Sequence, residues 1–185
     1  MRNKLSLSFI FTNLYRWLLR CILVIYHVLV HLGSLLPKKT KVTKPKLTIL
    51  ATGTFYSDNW LITHLKPMAS ADNCQSIIMV STSPVPDIDN VQGVYPPKFL
   101  IKCIGAVPAR LMYFSWLALT KRPDVLVGFH LLINGLFVAL LAKFIAGKSV
   151  YVCGGGELEV IGGGVHTENR IFSRIGKEDK VIERL

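Results

Sequence analysis

The apolar and polar positions divide the chain into segments of different period, and the most conspicuous apolar run, "PDVLVGFHLLINGLFVALLAKF" at residues 123–144, has two readings. Taken whole, its length suits a membrane span. Taken in two parts, "DVLVGF" has the length and β-branched content of a buried strand. "NGLFVALLAKFIAG" then has helical spacing, with Asn134 placed as a cap and Gly147 as a stop. A span would set Gly128, His130, Asn134 and Gly135 in hydrocarbon directly after "KRPD", which the cost of polar groups in lipid disfavours. The two-element reading is preferred, with its break at His130.

The flanking segments alternate in the same way. "KLTILAT" is a β-branched strand ending at Gly53, and "DNWLITHLKPMA" has helical spacing at Trp60, Leu61, His64, Leu65 and Met68, with Ser57 or Asp58 as cap. "SIIMVST" is a second strand closed by "SPVPD", and "VQGVYPP" is a short third. "FLIKCIGAVPARLMYFSWLALTKR" reads as a helix that Pro108 either kinks or reopens, and "KSVYVC" is a further strand. Strands separated by helices predict an α/β fold: a Rossmann-like parallel sheet with helices on both faces, whose central strands look uniformly apolar because both faces are covered.

Residues 9–36, "FIFTNLYRWLLRCILVIYHVLVHLGSLL", predict a long apolar helix. Its polar positions Asn13, Arg16, Arg20, His27, His31 and Ser34 fall within a wedge of roughly 60° at 3.6 residues per turn, so the helix is amphipathic with one narrow polar stripe. Arg16 and Arg20 interrupt what would be the apolar centre of a secretory signal, and no small-residue cleavage pattern follows. Three roles stay open: a helix lying in the membrane interface with its stripe toward headgroups, a tilted span, or a hydrophobic cap on the following domain.

Composition sharpens this. Half of the 185 residues are hydrophobic (51%) and the mean hydropathy is +0.42, so some apolar surface is expected to meet lipid, a partner or a missing domain. The net charge is +11, and no Asp or Glu precedes Asp58, whereas nine Lys and Arg residues do. The basic run "KKTKVTKPK" beside an apolar helix fits an anionic membrane surface better than nucleic acid. Cys21, Cys74, Cys103 and Cys153 show no paired spacing, so neither a disulfide framework nor a metal site is expected, and a reducing cytoplasm fits. The organisation expected is a membrane-associating helix over residues 1–37, a basic linker over 38–46 and a Rossmann-like domain over 47–185. The close on "EDKVIERL" suggests a fragment.

In a doubly wound sheet ligands bind beyond the carboxyl ends of the strands. Gly53 and Thr54 follow the first strand, His130 and Asn134 follow "DVLVGF", and "CGGGELEVIGGG" places Gly154, Gly155, Gly156 and Glu157 after the last. Each has a plainer reading beside the functional one: a turn glycine, a buried histidine, a flexible loop. Arg170, next to His166 and Asn169, can pair with a phosphate or sit in a solvated loop. No phosphate-binding glycine motif, Ser-His-Asp order or RNA-binding aromatic motif occurs.

"DNWLITHLKPMA" and "RPDVLVGFHLLINGLFVALLAKFIAGKSVYVCGGGE" together make residues 46–185 resemble the N-terminal domain of GT-B glycosyltransferases of family four. Pro123, Asp124, Val125, Leu126, His130, Asn134 and Gly135 carry the match. The resemblance implies the acceptor-side half of a two-domain enzyme that moves a sugar from a nucleotide sugar to a membrane, lipid-linked or polysaccharide acceptor. It implies no metal and no tightly bound cofactor, and a donor-binding domain supplied elsewhere. Many relatives carry a catalytic-site histidine where this chain has Gly154, which leaves His130 and Glu157 as the candidate catalytic residues. Gly53, Thr54, Asn134, Gly154, Gly155, Gly156 and Arg170 are the candidate substrate-binding residues. The implied location is the inner face of the cell membrane, peripheral or anchored. Two other readings stand beside it: a non-catalytic membrane-anchored adaptor for a separate catalytic subunit, and a small integral membrane protein that uses both apolar runs as spans.

Overall fold

Each of the five segments read as strands forms one in the structure, a computed structural model that describes residues 7–36, 45–55, 57–145 and 147–185. In chain order the elements are α1 (Leu7–Ser34), β1 (Leu47–Thr52), α2 (Asp58–Ala69), β2 (Cys74–Val80), β3 (Val91–Val94), α3 (Lys98–Ile104), α4 (Ala106–Lys121), β4 (Val125–Phe129), α5 (Leu136–Ile145) and β5 (Lys148–Val152). Short helical turns follow, ending with Lys180–Arg184. The expected linker "KKTKVTKPK" lies outside the described residues up to its Pro45. The chain forms two compact units, Gly33–Val152 and Met1–Leu32 with Cys153–Leu185. The residues after Val152, expected to continue the sheet domain, thus group with the N-terminal helix.

In the sheet unit the five strands are all parallel, in the order β3-β2-β1-β4-β5. This is the Rossmann-like α/β architecture that the alternation of strands and helices predicts. The register makes the two faces distinct. Leu50 pairs with Ile78 and Leu126, and these three join Phe114, Leu117 and Ala118 of α4 and Val138 and Ala142 of α5 in one core layer. Ala51 pairs with Met79 and Val127, and this row packs with Leu61, Leu65 and Ala69 of α2 on the other face. Spacings of four on α2 and α5 put one stripe of each helix onto the sheet.

The run at 123–144 is therefore a strand and a helix: β4 is covered on both faces, and α5 buries Val138 and Ala142. The helix expected at 99–122, kinked or reopened by Pro108, is two helices: Gly105 takes φ +88° and ends α3, leaving Pro108 in the first turn of α4, where its missing N–H costs nothing. Asp124 works at the amino end of β4. Its Oδ2 accepts from Thr48 N and Thr48 Oγ1, both at 2.9 Å, and so locks β4 to β1.

In the other unit, α1 is the one described helix long and apolar enough to cross a membrane, over Ser8–Ser34. Its polar stripe meets the C-terminal segment: Arg16 Nε and Arg20 Nη2 donate to Asp179 Oδ2 at 2.9 and 2.8 Å, and Tyr15 Oη donates to Ile171 O. Leu19 and Leu23 are buried, while Phe11, Leu14, Trp17, Leu18, Ile22, Ile25 and Val28 are exposed. Asp179 also caps Lys180–Arg184 by accepting from Val181 N and Ile182 N. Gly162, Gly163 and Gly164 are buried at positive φ, and a Cβ on Gly163 would stand 2.9 Å from Asp179 O. The second glycine triplet is a packed turn, sealed by the bond from Asp179 N to Gly162 O at 2.8 Å.

Burial opposes ionisation of Asp179, but the Ile182 amide and the Arg20 and Arg16 guanidinium groups outweigh it and hold its carboxyl below the ordinary 3.8. A depressed folded pKa means that this contribution is complete above the ordinary value and is lost as the pH falls below it. Asp179→Asn should cost this unit about 2 kcal/mol near neutral pH, read as faster amide exchange at Val181 and Ile182. The difference from the unaltered chain should close in acid below the ordinary carboxylate value.

Candidate functional site

The order of the strands reverses between β1 and β4, and the chain leaves their carboxyl ends toward opposite faces of the sheet, the position at which doubly wound folds bind ligands. After β1 the chain turns at Gly53, where a Cβ would stand 2.7 Å from Phe129 Cβ, so only glycine lets the two strand ends come together. Thr54 is exposed, and Ser57 caps α2 by accepting from Trp60 N at 3.3 Å.

After β4 the backbone folds sharply back on itself. His130 has φ 66° and Ile133 has φ 74°, and Gly135 N donates to His130 O at 2.9 Å. Positive φ at these side chains, one of them β-branched, is strained, and such strain persists only where surrounding contacts over-determine it. The contacts are present. His130 N donates to Val152 O at 2.8 Å, and Asn134 Nδ2 donates to Phe129 O at 2.8 Å. Gly128 leaves room for the turn, since a Cβ there would lie 2.7 Å from Asn134 O. Asn134, expected to cap α5, is instead a buried bridge within the turn, and α5 begins at Leu136.

The residue that joins the two strand ends comes from α4. Arg110 lies on the buried face of that helix with Phe114, Leu117 and Ala118 and is 3% exposed. Its Nη1 donates to Gly53 O and to Thr54 Oγ1, the latter at 3.2 Å, and its Nη2 donates to Asn134 Oδ1 at 2.8 Å. All three acceptors are neutral. Burial pulls the guanidinium down to about 10, so it stays charged at neutral pH. Its Nε is buried and has no hydrogen-bond partner among the described residues.

On the α2 face of the same strand ends lies an aromatic group. Trp60 stacks on His64 with centroids 3.8 Å apart and on His130 at 5.7 Å, and Phe55 and Phe129 meet Trp60 at 5.3 Å. His64 is oriented by its Nδ1 contact with Trp60 O at 2.8 Å. These strand ends thus carry a buried cation with amide and hydroxyl partners on the α4 side, and on the α2 side an indole that stacks on two imidazoles. Such groups are of the kinds that hydrogen-bond oxygen-rich ligands and stack on their carbon faces.

Gly53, Thr54 and Asn134 are linked here through Arg110, and His130 opens the turn that carries Asn134. Gly154, Gly155, Gly156, Glu157 and Arg170 belong to the other unit. There Gly155 N donates to Glu159 Oε1 at 3.0 Å, Glu157 is exposed on the turn Gly156–Glu159, and Arg170 opens a short turn capped by Asn169. Among the described residues no group of three His, Cys, Asp or Glu side chains is placed to hold a metal ion.

Reading strand ends alone misses Arg110, because it arrives from a helix. A signal was present: it is the single charged residue between Lys102 and Lys121, and its spacing of four, seven and eight to Phe114, Leu117 and Ala118 sets it on the apolar face. Asn134→Ala would leave the Phe129 carbonyl and one Arg110 donor buried without partners. It should lower stability by about 3 kcal/mol, measured as a shift of the urea midpoint. No protein-family model, characterised protein or solved structure matches the chain.

Proposed function

We propose that the chain is the acceptor-side half of a membrane-associated glycosyltransferase, acting with a donor-binding domain or subunit that supplies the nucleotide sugar. The observation that carries this reading is the convergence of the Gly53–Thr54 turn, His130 and Asn134 at the reversal point of a parallel sheet. It agrees with the resemblance of "RPDVLVGFHLLINGLFVALLAKF" to family-four enzymes of the GT-B fold. In this reading the Trp60 and His130 rings receive the apolar face of an acceptor sugar or lipid-linked head. The His130 imidazole hydrogen-bonds or deprotonates the attacking hydroxyl, a role that contributes ~100-fold or more when a positioned base is used. Leaving-group charge is met by basic groups and backbone amides, which need no metal. Glu157 and Arg170 lie in the other unit and stay outside this argument.

The exposed apolar side chains of α1, in a segment without acidic residues, support attachment to the anionic inner face of a cell membrane, which is also where a lipid-linked acceptor would be met. The same surface favours a second reading, an anchored adaptor that recruits a separate catalytic subunit and leaves the chemistry to it.

Cells lacking the chain, complemented with it, should restore transfer of labelled sugar to membrane glycans, and His130→Ala should reduce that transfer ~100-fold at unchanged protein level. Full activity of the variant would leave the adaptor reading in place. Trp17→Glu with Ile25→Glu, both at exposed positions, should release the protein from vesicles of anionic phospholipid in a flotation assay.

A further inference from the structure

The structure assigns to the carboxyl ends of β1 and β4 a binding site for a phosphate or diphosphate group, held by the Arg110 guanidinium. The first argument is energetic. Arg110 occupies a position where the helix otherwise presents Phe114, Leu117 and Ala118, and taking a guanidinium out of water without a counter-charge is costly. The three hydrogen bonds that it makes among the described residues go to Gly53 O, Thr54 Oγ1 and Asn134 Oδ1, and none of these acceptors is charged. A glutamine would tie the two strand ends with less desolvation. A cation there is explained by an anion that it meets.

The second argument is geometric. Nη1 is engaged by the turn after β1 and one Nη2 hydrogen by Asn134, so the guanidinium plane is fixed. Its remaining capacity lies along the edge shared by Nε and Nη2, where Nε–H has no acceptor among the described residues. That edge is the side-on fork that takes two oxygens of one phosphate or carboxylate. Among oxyanions, phosphate brings the larger charge to meet the buried cation. Phosphate also suits the end of a parallel sheet at which doubly wound folds bind such groups.

The third argument concerns access. Nε is shielded from solvent, so an anion enters by displacing a neighbouring segment, and the turn after β4, tied to Nη2 through Asn134, is a candidate. The turn after β4 carries its strain at His130 and Ile133, and rearranging it would relieve that strain while Asn134 passes its share of the cation to the ligand. The anion site stands on this geometry alone. That the phosphate belongs to a lipid-linked acceptor or to the donor nucleotide rests on the transferase reading.

The test is calorimetric titration of the whole chain in neutral detergent micelles with inorganic phosphate, pyrophosphate and dodecyl phosphate. Saturable binding of at least one is expected, and Arg110→Gln, compared at matched thermal denaturation, should weaken it at least ~10-fold, with Arg110→Lys between the two. Tighter binding of dodecyl phosphate points to a lipid phosphate, and tighter binding of pyrophosphate to a nucleotide. No saturable binding of any of the three overturns the proposal. So does equal binding by the folded Gln variant, which would assign the effect to the general positive charge of the chain. A variant that fails to fold is bypassed in the unaltered protein, where the Arg110 Nε–H resonance should shift on titration with the bound anion; an unmoved resonance overturns the site. Binding without sugar transfer in the complementation assay would keep the anion site and remove the transferase reading.

Discussion

A buried guanidinium between the ends of β1 and β4 constrains nearly everything around it. Because Arg110 sits under two strand ends and away from water, its donors must be met locally; the Gly53 carbonyl, the Thr54 hydroxyl and the Asn134 amide meet those of Nη1 and Nη2, while Nε–H has no acceptor among the described residues. Each of these is held by its own requirement: a glycine that lets Phe129 approach, and an asparagine turned inward to reach both Arg110 and Phe129 O. The positive φ at His130 and Ile133 is the conformation that lets the turn after β4 deliver Asn134 to this place. Strain in the turn and the hydrogen bonds of a buried cation are two sides of one arrangement.

The sheet divides its labour between its two ends. At the amino ends Asp124 joins β4 to β1 through Thr48, with no ligand implied, so the conspicuous "PD" pair serves the register of the strands. At the carboxyl ends the same two strands diverge into turns that carry polar groups. The layers between them are plain packing: side chains alternate between the α2 face and the α4/α5 face, and paired residues of neighbouring strands share a face. A stable double-faced core is what allows polar and strained groups to collect at one edge.

The second unit solves a different problem. A helix with a narrow polar stripe and a broad apolar surface has to choose which side meets protein. Here Arg16 and Arg20 turn to Asp179, and much of the apolar surface stays outside. Salt links to a carboxylate that is itself a helix cap tie the stripe to the last described turn of the chain. The apolar surface is then available to lipid or a partner, in keeping with the surplus of hydrophobic residues in the composition.

Periodicity made the strands, the α2 cap region and the resolution of the 123–144 run legible, because alternation and four-residue spacing are local consequences of which face is covered. The break at Gly105 and the turn at 131–135 were hidden for the opposite reason: both depend on backbone conformations that an apolar run does not announce. Gly53, Thr54, His130 and Asn134 could be marked as candidates, since their place after strands follows from the order of elements. The link between Gly53, Thr54 and Asn134 could not, because Arg110 is separated from Gly53 and Asn134 by 57 and 24 residues and reaches them only when α4 packs across the sheet. The direction of the α1 stripe was likewise decided by tertiary structure: a stripe marks an amphipathic helix, but whether it turns to headgroups or to Asp179 depends on a partner 163 residues away.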